Sequence, residues 1–226
     1  LAATETGRDL PDLRVTPEPD RRALLVGTHT EAAHASGPML VEFAQALAWE
    51  GFDVDAIPYG RAVTVEDLEG VSLVVALPAI DYADDGADET WTAEEADLLA
   101  DFVEAGGLLV LANSAQRLVF GRGYGPNEDW AGLNPLAERF GAVYEPGTLP
   151  RSTASRSTDH PLTQGWISLG MIADNAVPFT MAQGLALADA AGLPAAGLID
   201  HGPAGGQVLV LADIGLLQPL SMIPAE

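Results

Sequence analysis

Cysteine is absent from the 226 residues, which excludes thiol nucleophiles, disulfides, iron–sulfur clusters and thiolate zinc sites. Lysine is absent too, so Schiff-base chemistry and a phosphate-loop lysine are excluded and every fixed side-chain cation is an arginine. Cations are scarce in any form: 10 basic residues stand against 33 Asp and Glu, a net charge of −23 that argues against a nucleic-acid partner. Long hydrophobic runs are missing as well. Those present, such as residues 107–112 and 208–212, are strand-sized and far below the roughly 20 residues a membrane helix needs, so no span is expected. What is present is ample core material, 48% hydrophobic residues, at a length that suits one domain. The acidic surplus speaks for solubility and a salt-exposed or secreted setting, and it names no ligand. The chain opens on Leu1, which reads as a piece of a longer or processed protein with any signal or anchor upstream.

Residues 1–20 are polar, interrupted by proline and without period, and are expected to be a flexible lead into a single domain over 21–226. Residues 23–28 read as a strand, followed by a helix that starts at Ser36-Gly37-Pro38 and stops at Gly51. Strands at 53–58 and 73–77 flank a short acidic helix around 65–69. Thr92 and Glu95 form a capping box for a helix that Gly106 closes, and 108–112 is a further apolar strand. This alternation predicts an α/β architecture: a doubly wound, mostly parallel sheet with helices on both faces. Asn134 and Pro135 predict a short helix, 142–144 a strand, and 148–165 a long exposed connection. Residues 195–200 and 207–212 flank a Gly-rich turn and predict an antiparallel hairpin at one sheet edge.

The string WTAEEADLLADFVEAGGLLVLAN (residues 91–113), with LNPLAERFG (133–141), HPLTQG (160–165) and GQVLVLAD (206–213), resembles the class I glutamine-amidotransferase-like superfamily. The likeness is to its DUF4350 kind and to gliding or ABC-transport-associated relatives. The resemblance implies a flavodoxin-like sheet. Active members carry a cysteine on the turn after a central strand, with His and Glu partners, and this chain has none. It therefore implies a domain without that hydrolysis, located outside the cytoplasm or beside a membrane anchor. The expected function is a non-catalytic binding or interaction domain for a protein or small-molecule partner.

In an open parallel sheet, ligands bind beyond the carboxyl ends of the strands. Those ends supply Thr28, His29, Asp81, Asn113, Ser114 and Asp213. Ser114 with His29 and Asp81 would meet the logic of nucleophile, base and orienting carboxylate, the alternative being a hydrolase built on them. Ser114 lacks the small flanking residues of a nucleophile elbow, and a helix-capping role competes. Thr28, Asn113, Trp130 and Asp213 are candidate ligand contacts, Trp130 because its Gly-rich surroundings suggest exposure. Asp81, Asp84, Asp85, Asp88 and Glu89 put five carboxylates in one loop, a density that suits Ca²⁺ or Mg²⁺. The EF-hand pattern is not met, and a solvated acidic loop is the competing reading. No other cofactor is expected. His29, Glu31 and His34 have loop rather than helix-face spacing for a metal, His160 reads as a loop anchor, and His201 begins a turn. Gly121, Gly123 and Gly125 fail the dinucleotide fingerprint because Pro126 follows them.

Overall fold

The computed structural model describes residues 21–31, 33–81, 89–119, 123–164, 168–172 and 174–217. Its first half alternates strand and helix as the apolar runs require: β1 (Arg22–Val26), α1 (Ala33–Trp49), β2 (Asp53–Ile57), β3 (Val71–Ala76), α2 (Ala93–Glu104) and β4 (Leu108–Ala112). The second half is mostly strand: β5 (Gln116–Val119), β6 (Gly123–Pro126), the short α3 (Asn134–Ala137), then β7 (Ala142–Tyr144), β8 (Thr153–Arg156) and β9 (Ser168–Gly170). β10 (Phe179–Met181), β11 (Leu185–Ala190), β12 (Leu193–His201) and β13 (Gly206–Leu211) follow.

Among the described residues nine strands form one sheet in the order β2-β1-β3-β4-β13-β12-β11-β8-β9. The pairings from β2 across to β13 are parallel, and those from β13 across to β9 are antiparallel. The expected edge hairpin, β12 with β13, thus lies in the middle of the sheet, and the parallel ladder is only half of it. The connection over 148–165 is also more structured than its polar sequence suggests, because β8 joins the sheet and buries Ala154. Only one of the four β8 side chains faces the core, so its burial leaves too weak a period to read.

Core strands are apolar on both faces, with Val74, Val75 and Ala76 of β3 and Leu109, Leu111 and Ala112 of β4 fully buried. The α2 helix begins as its capping box predicts, Thr92 Oγ1 accepting the Glu95 amide and the Glu95 carboxylate accepting the Thr92 amide. Its stripe of Ala96, Leu99 and Val103 lies against the sheet. Approach is closest at Gly206, where a Cβ would stand 1.8 Å from the Val103 carbonyl oxygen, so only glycine fits under the helix there. The α1 helix starts at Ala33, five residues before Pro38, so the proline marks its early turns and not its first residue. The acidic segment near 66 is a single 3₁₀ turn, Glu66–Leu68.

Tyr144 is fully buried, with its hydroxyl 3.0 Å from the Leu211 carbonyl and 3.2 Å from that of Leu111, across the paired ends of β13 and β4. Burial raises its ionisation far above the ordinary phenol range, so it acts as a neutral donor. Tyr144→Phe should cost about 1 kcal/mol in urea unfolding, the net worth of one buried hydrogen bond.

Candidate functional site

The β1 strand sends its chain to β2 on one side, and the chain then returns past it to β3 on the other. The carboxyl ends of β1 and β3 therefore open a crevice between connections that leave in opposite directions. A cleft of about 750 Å³ lies there, within the size range of small-molecule sites. Three segments wall it: Thr28 and His29 after β1, Tyr59, Gly60 and Ala62 to Glu66 after β2, and Glu89, Thr92, Glu94, Glu95 and Leu98 at the start of α2.

His29 is the centre of its polar wall. Its Nε2 lies 2.8 Å from Glu95 Oε2 and its Nδ1 3.4 Å from Glu89 Oε2, with the ring packed edge-on against buried Trp91. Tyr59 donates its hydroxyl to Glu89 Oε1 at 2.6 Å, so an unbroken polar chain runs from the cleft mouth to the amino end of α2. Glu95 serves twice, as the capping carboxylate and as the anchor of the imidazole. Burial is the largest influence on it and opposes its charge. The His29 bond, the Thr92 amide and the Thr92 hydroxyl together outweigh burial and hold the Glu95 carboxyl below its ordinary range. The amino-terminal dipole of α2 acts in the same direction. Glu95 Oε1 and Trp91 Nε1 are buried with no hydrogen-bond partner among the described residues.

The residues expected to form a hydrolytic trio are not brought together. Ser114 Oγ lies 2.6 Å from the Gln116 carbonyl and 2.7 Å from Asn175 Oδ1, while His29 is held by the two glutamates. Among the described residues no hydrogen bond joins Ser114 to His29. Nor does β4 lead into a helix that Ser114 could cap or whose turn could expose it, because strand β5 follows. Asp81 is buried, its amide donating to Asp129 Oδ2 at 2.8 Å and its carbonyl accepting from Arg117.

Thr28 lines the cleft, with its hydroxyl donating to the Arg61 carbonyl at 2.9 Å. Asn113 is fully buried and turns inward, its side-chain amide donating to the Trp130 carbonyl and its oxygen accepting the Ser114 amide. Trp130 is half-buried against the core, contrary to the exposure expected of it, because it opens a 3₁₀ turn, Trp130–Leu133, that leads directly into α3 and packs on the core. The most exposed tryptophan among the described residues is Trp49 instead. Asp213 is buried, accepting from the Ile172 and Gly215 amides and from Asn175 Nδ2. Burial, its largest influence, raises its carboxyl above the ordinary range despite those donors.

Of the carboxylates suggested for Ca²⁺ or Mg²⁺, Asp84, Asp85 and Asp88 lie outside the described residues. Among the described residues no group of three His, Asp or Glu side chains has an arrangement that could hold a metal ion. Glu89, counted in sequence as one of that loop, is committed to His29 and Tyr59. His160 caps a short turn through Nδ1, which accepts the Leu162 amide, and His201 packs edge-on against Phe140. Gly123 and Gly125 belong to β6, paired with β5. Tyr59 and the second role of Glu95 had no direct sequence signal. The capping box indicated only that the Glu95 side chain folds back onto the first turn of α2.

No protein-family model and no curated protein sequence matches the chain. Solved structures do. The N-terminal domain of mmIFT52 superposes with a TM-score of 0.64 at 13% identity, over 88% of this chain and 89% of that one. A cytoplasmic protein of Salmonella typhimurium LT2 gives 0.56 at 17% identity, over 85% and 87%. A ThuA-like protein of Bacteroides uniformis ATCC 8492 gives 0.50 at 14% identity, over 89% of each chain. At these identities the likeness is one of fold. It corrects the resemblance drawn from the sequence strings: nothing supports the DUF4350 kind, and the neighbours are of other families. ThuA-like proteins have a class I glutamine-amidotransferase-like fold, so the overlap with that resemblance is partial and confined to α/β architecture. The quoted strings report a helix cap and buried strands, which many α/β chains share.

Proposed function

We propose that this chain is a recognition domain that takes up a small ligand in the cleft above β1 and β3 and performs no covalent chemistry on it. The strand order β2-β1-β3-β4-β13, with its crossovers leaving in opposite directions, supports a flavodoxin-like, doubly wound reading of the parallel half, the arrangement that makes such a crevice.

The observation that carries the proposal is the state of the polar groups on the cleft wall. Both nitrogens of His29 face carboxylates, and the hydroxyls beside it are engaged, Thr28 with the Arg61 carbonyl and Thr92 with Glu95. A histidine-activated nucleophile needs an imidazole nitrogen with a free lone pair within reach of its proton, and His29, with both nitrogens turned to glutamates, offers none. A preformed, partly apolar concavity with a few fixed polar groups is what reversible binding requires.

The test is a fragment screen by protein-observed NMR. Shift changes should gather on Thr28, Tyr59, Ala62, Thr92 and Leu98 and should vanish in Ala62→Trp, which fills the cleft from an exposed lining position. Binders that gather elsewhere and ignore that variant, or ester or amide turnover abolished by Ser114→Ala, would overturn the reading.

A further inference from the structure

We infer that a proton closes this cleft: the Nδ1–H of His29 holds a polar strap, Glu89 and Tyr59, across the mouth, and loss of that proton to water as pH rises releases it. The inference concerns the regulation of the same cleft and rests on the recognition reading above.

The strap joins walls from three parts of the chain, with Tyr59 after β2, Glu89 before α2 and His29 after β1. The Tyr59 hydroxyl donates to Glu89 Oε1 at 2.6 Å, Glu89 Oε2 lies 3.4 Å from His29 Nδ1, and His29 Nε2 lies 2.8 Å from Glu95 Oε2. The two contacts of the ring are unequal. The one to Glu89 is longer than the usual N–H···O range of about 2.7–3.2 Å, so charge holds Glu89 more than a formed hydrogen bond does. The one to Glu95 is a full charge-assisted bond.

Glu95 is fixed in place. Its Oε2 also accepts the Thr92 amide and hydroxyl, and the side chain is 6% exposed. Against burial, the His29 and Thr92 bonds hold its carboxyl below the ordinary range, so it stays an acceptor for the ring. A neutral imidazole has one N–H and one lone pair. With Glu95 claiming the hydrogen on Nε2, the lone pair falls on Nδ1 and faces Glu89 Oε2, acceptor against acceptor. Two carboxylates then flank an uncharged ring that is only 14% exposed, where solvent screens them little. Glu66 and Glu94 line the same cleft, Glu31 lies on the His29 loop, and Arg61 turns its guanidinium to Asp67, so no arginine among the described lining residues offsets the repulsion. Glu95 cannot yield without undoing the cap of α2. Glu89 yields instead, and Tyr59 loses that acceptor.

The backbone under the strap is anchored. The Trp91 amide donates to the Gly132 carbonyl, and a Cβ on Gly132 would stand 2.2 Å from the Glu89 carbonyl oxygen. The motion therefore belongs to the side chains of Glu89 and Tyr59, the latter 43% exposed at the mouth. The lone pair so uncovered meets no nucleophile, because the Thr28 hydroxyl donates to the Arg61 carbonyl and that of Thr92 to Glu95.

The experiment is an NMR titration of the full chain, without ligand, from about pH 5 to 8, the interval in which histidine ordinarily changes charge. Long-range ¹H–¹⁵N spectra should show His29 losing the proton on Nδ1 and keeping the one on Nε2. The Tyr59 ring, the Gly60 amide and the Glu89 carboxylate carbon should follow the same transition. Broadening of the Thr28 and His29 amides by the soluble nitroxide 4-hydroxy-TEMPO should rise several-fold across it. Glu89→Gln serves either form of the ring, since its carboxamide accepts from Nδ1–H or turns to donate to the bare nitrogen. In that variant His29 should still titrate while Tyr59, Gly60 and the nitroxide response stay flat. Tyr59→Phe cuts the strap at its other end: His29 and Glu89 should move together as before, with nitroxide broadening high at every pH.

A neutral His29 with its proton on Nδ1, a Tyr59 and Gly60 that ignore the His29 transition, or a Glu89→Gln protein whose mouth still follows pH would overturn the strap. So would a His29 that keeps one charge state over the whole interval. If Glu89→Gln does not fold, Tyr59→Phe decides, because nitroxide broadening that keeps the parent's pH response would separate the strap from the mouth. Fragments that occupy the cleft beside a silent strap leave the recognition reading standing. A moving strap over a cleft that takes no fragment at either end of the interval removes that reading alone.

Discussion

Asp213→Ala should lower the free energy of unfolding by about 3 kcal/mol, with a fall in Tm of roughly 6–12 °C, measured by urea and thermal melts. Asp213 lies two residues beyond the end of β13 and gathers three donors, the Ile172 and Gly215 amides and Asn175 Nδ2. Asn175 in turn accepts from Ser114 Oγ and the Gln116 amide, which ties the end of β4 to the same node. Removing the carboxylate leaves three buried or half-buried donors without an acceptor, and each such loss costs more than a hydrogen bond contributes on average. Exposed Asp200, whose carboxylate accepts from the Gln207 side chain, is the control, and its alanine variant should change stability by less than about 0.5 kcal/mol.

The pH dependence of Asp213 has a definite sign. Its carboxyl is raised in the folded protein, so the stability it contributes is fully present below the unfolded pKa and is lost as pH rises through the folded one. Asp213→Asn mimics the protonated form and removes that dependence. Its deficit against the parent should therefore be widest in acid and shrink towards neutrality.

The difference between Asp213 and His29 shows how far the sequence could be read. Both follow apolar strands, and the rule that ligands gather at the carboxyl ends of parallel strands singled out both positions. That rule knows nothing of partners 38 or 66 residues away, yet these decide the roles: Asn175 locks Asp213 into the interior, while Glu95 holds His29 at the cleft wall. Ser114 was open to misreading for a related reason. The repeated strand-to-helix order of the first half suggests another helix after β4, whereas β5 and β6 form a small separate hairpin there. Local signals fared better. The Thr92 capping box and the apolar run of β4 fix those elements because their causes lie within a few residues. The antiparallel half depends on pairing. In β8 a polar tetrapeptide becomes a strand because β11 and β9 bond to it on either side, and no periodicity in its own residues could show that.

Glu95→Ala should be nearly as damaging as the loss of Asp213, at about 2–3 kcal/mol, because it undoes a helix cap and a tertiary tie in one substitution. The cap alone is worth about 1 kcal/mol, which Thr92→Ala should report. The remainder belongs to the His29 contact, so the two single variants separate the local from the long-range role. Acidification separates them further. The Glu95 carboxyl is depressed in the folded state below its ordinary value of 4.5, so its contribution is present above the unfolded pKa and is lost as pH falls through the folded one. Urea melts across that window should show the parent losing stability towards acid and Glu95→Ala losing less. The slope runs opposite to that of Asp213, although both are buried carboxylates of one sheet edge. Burial opposes charge in both. The difference is that Glu95 faces an imidazole and a helix amino end, whereas Asp213 faces only neutral donors. A parent and variant with the same acid slope would mean that His29 and Thr92 do not hold Glu95 ionised, and the polar wall of the cleft would lose its organising charge.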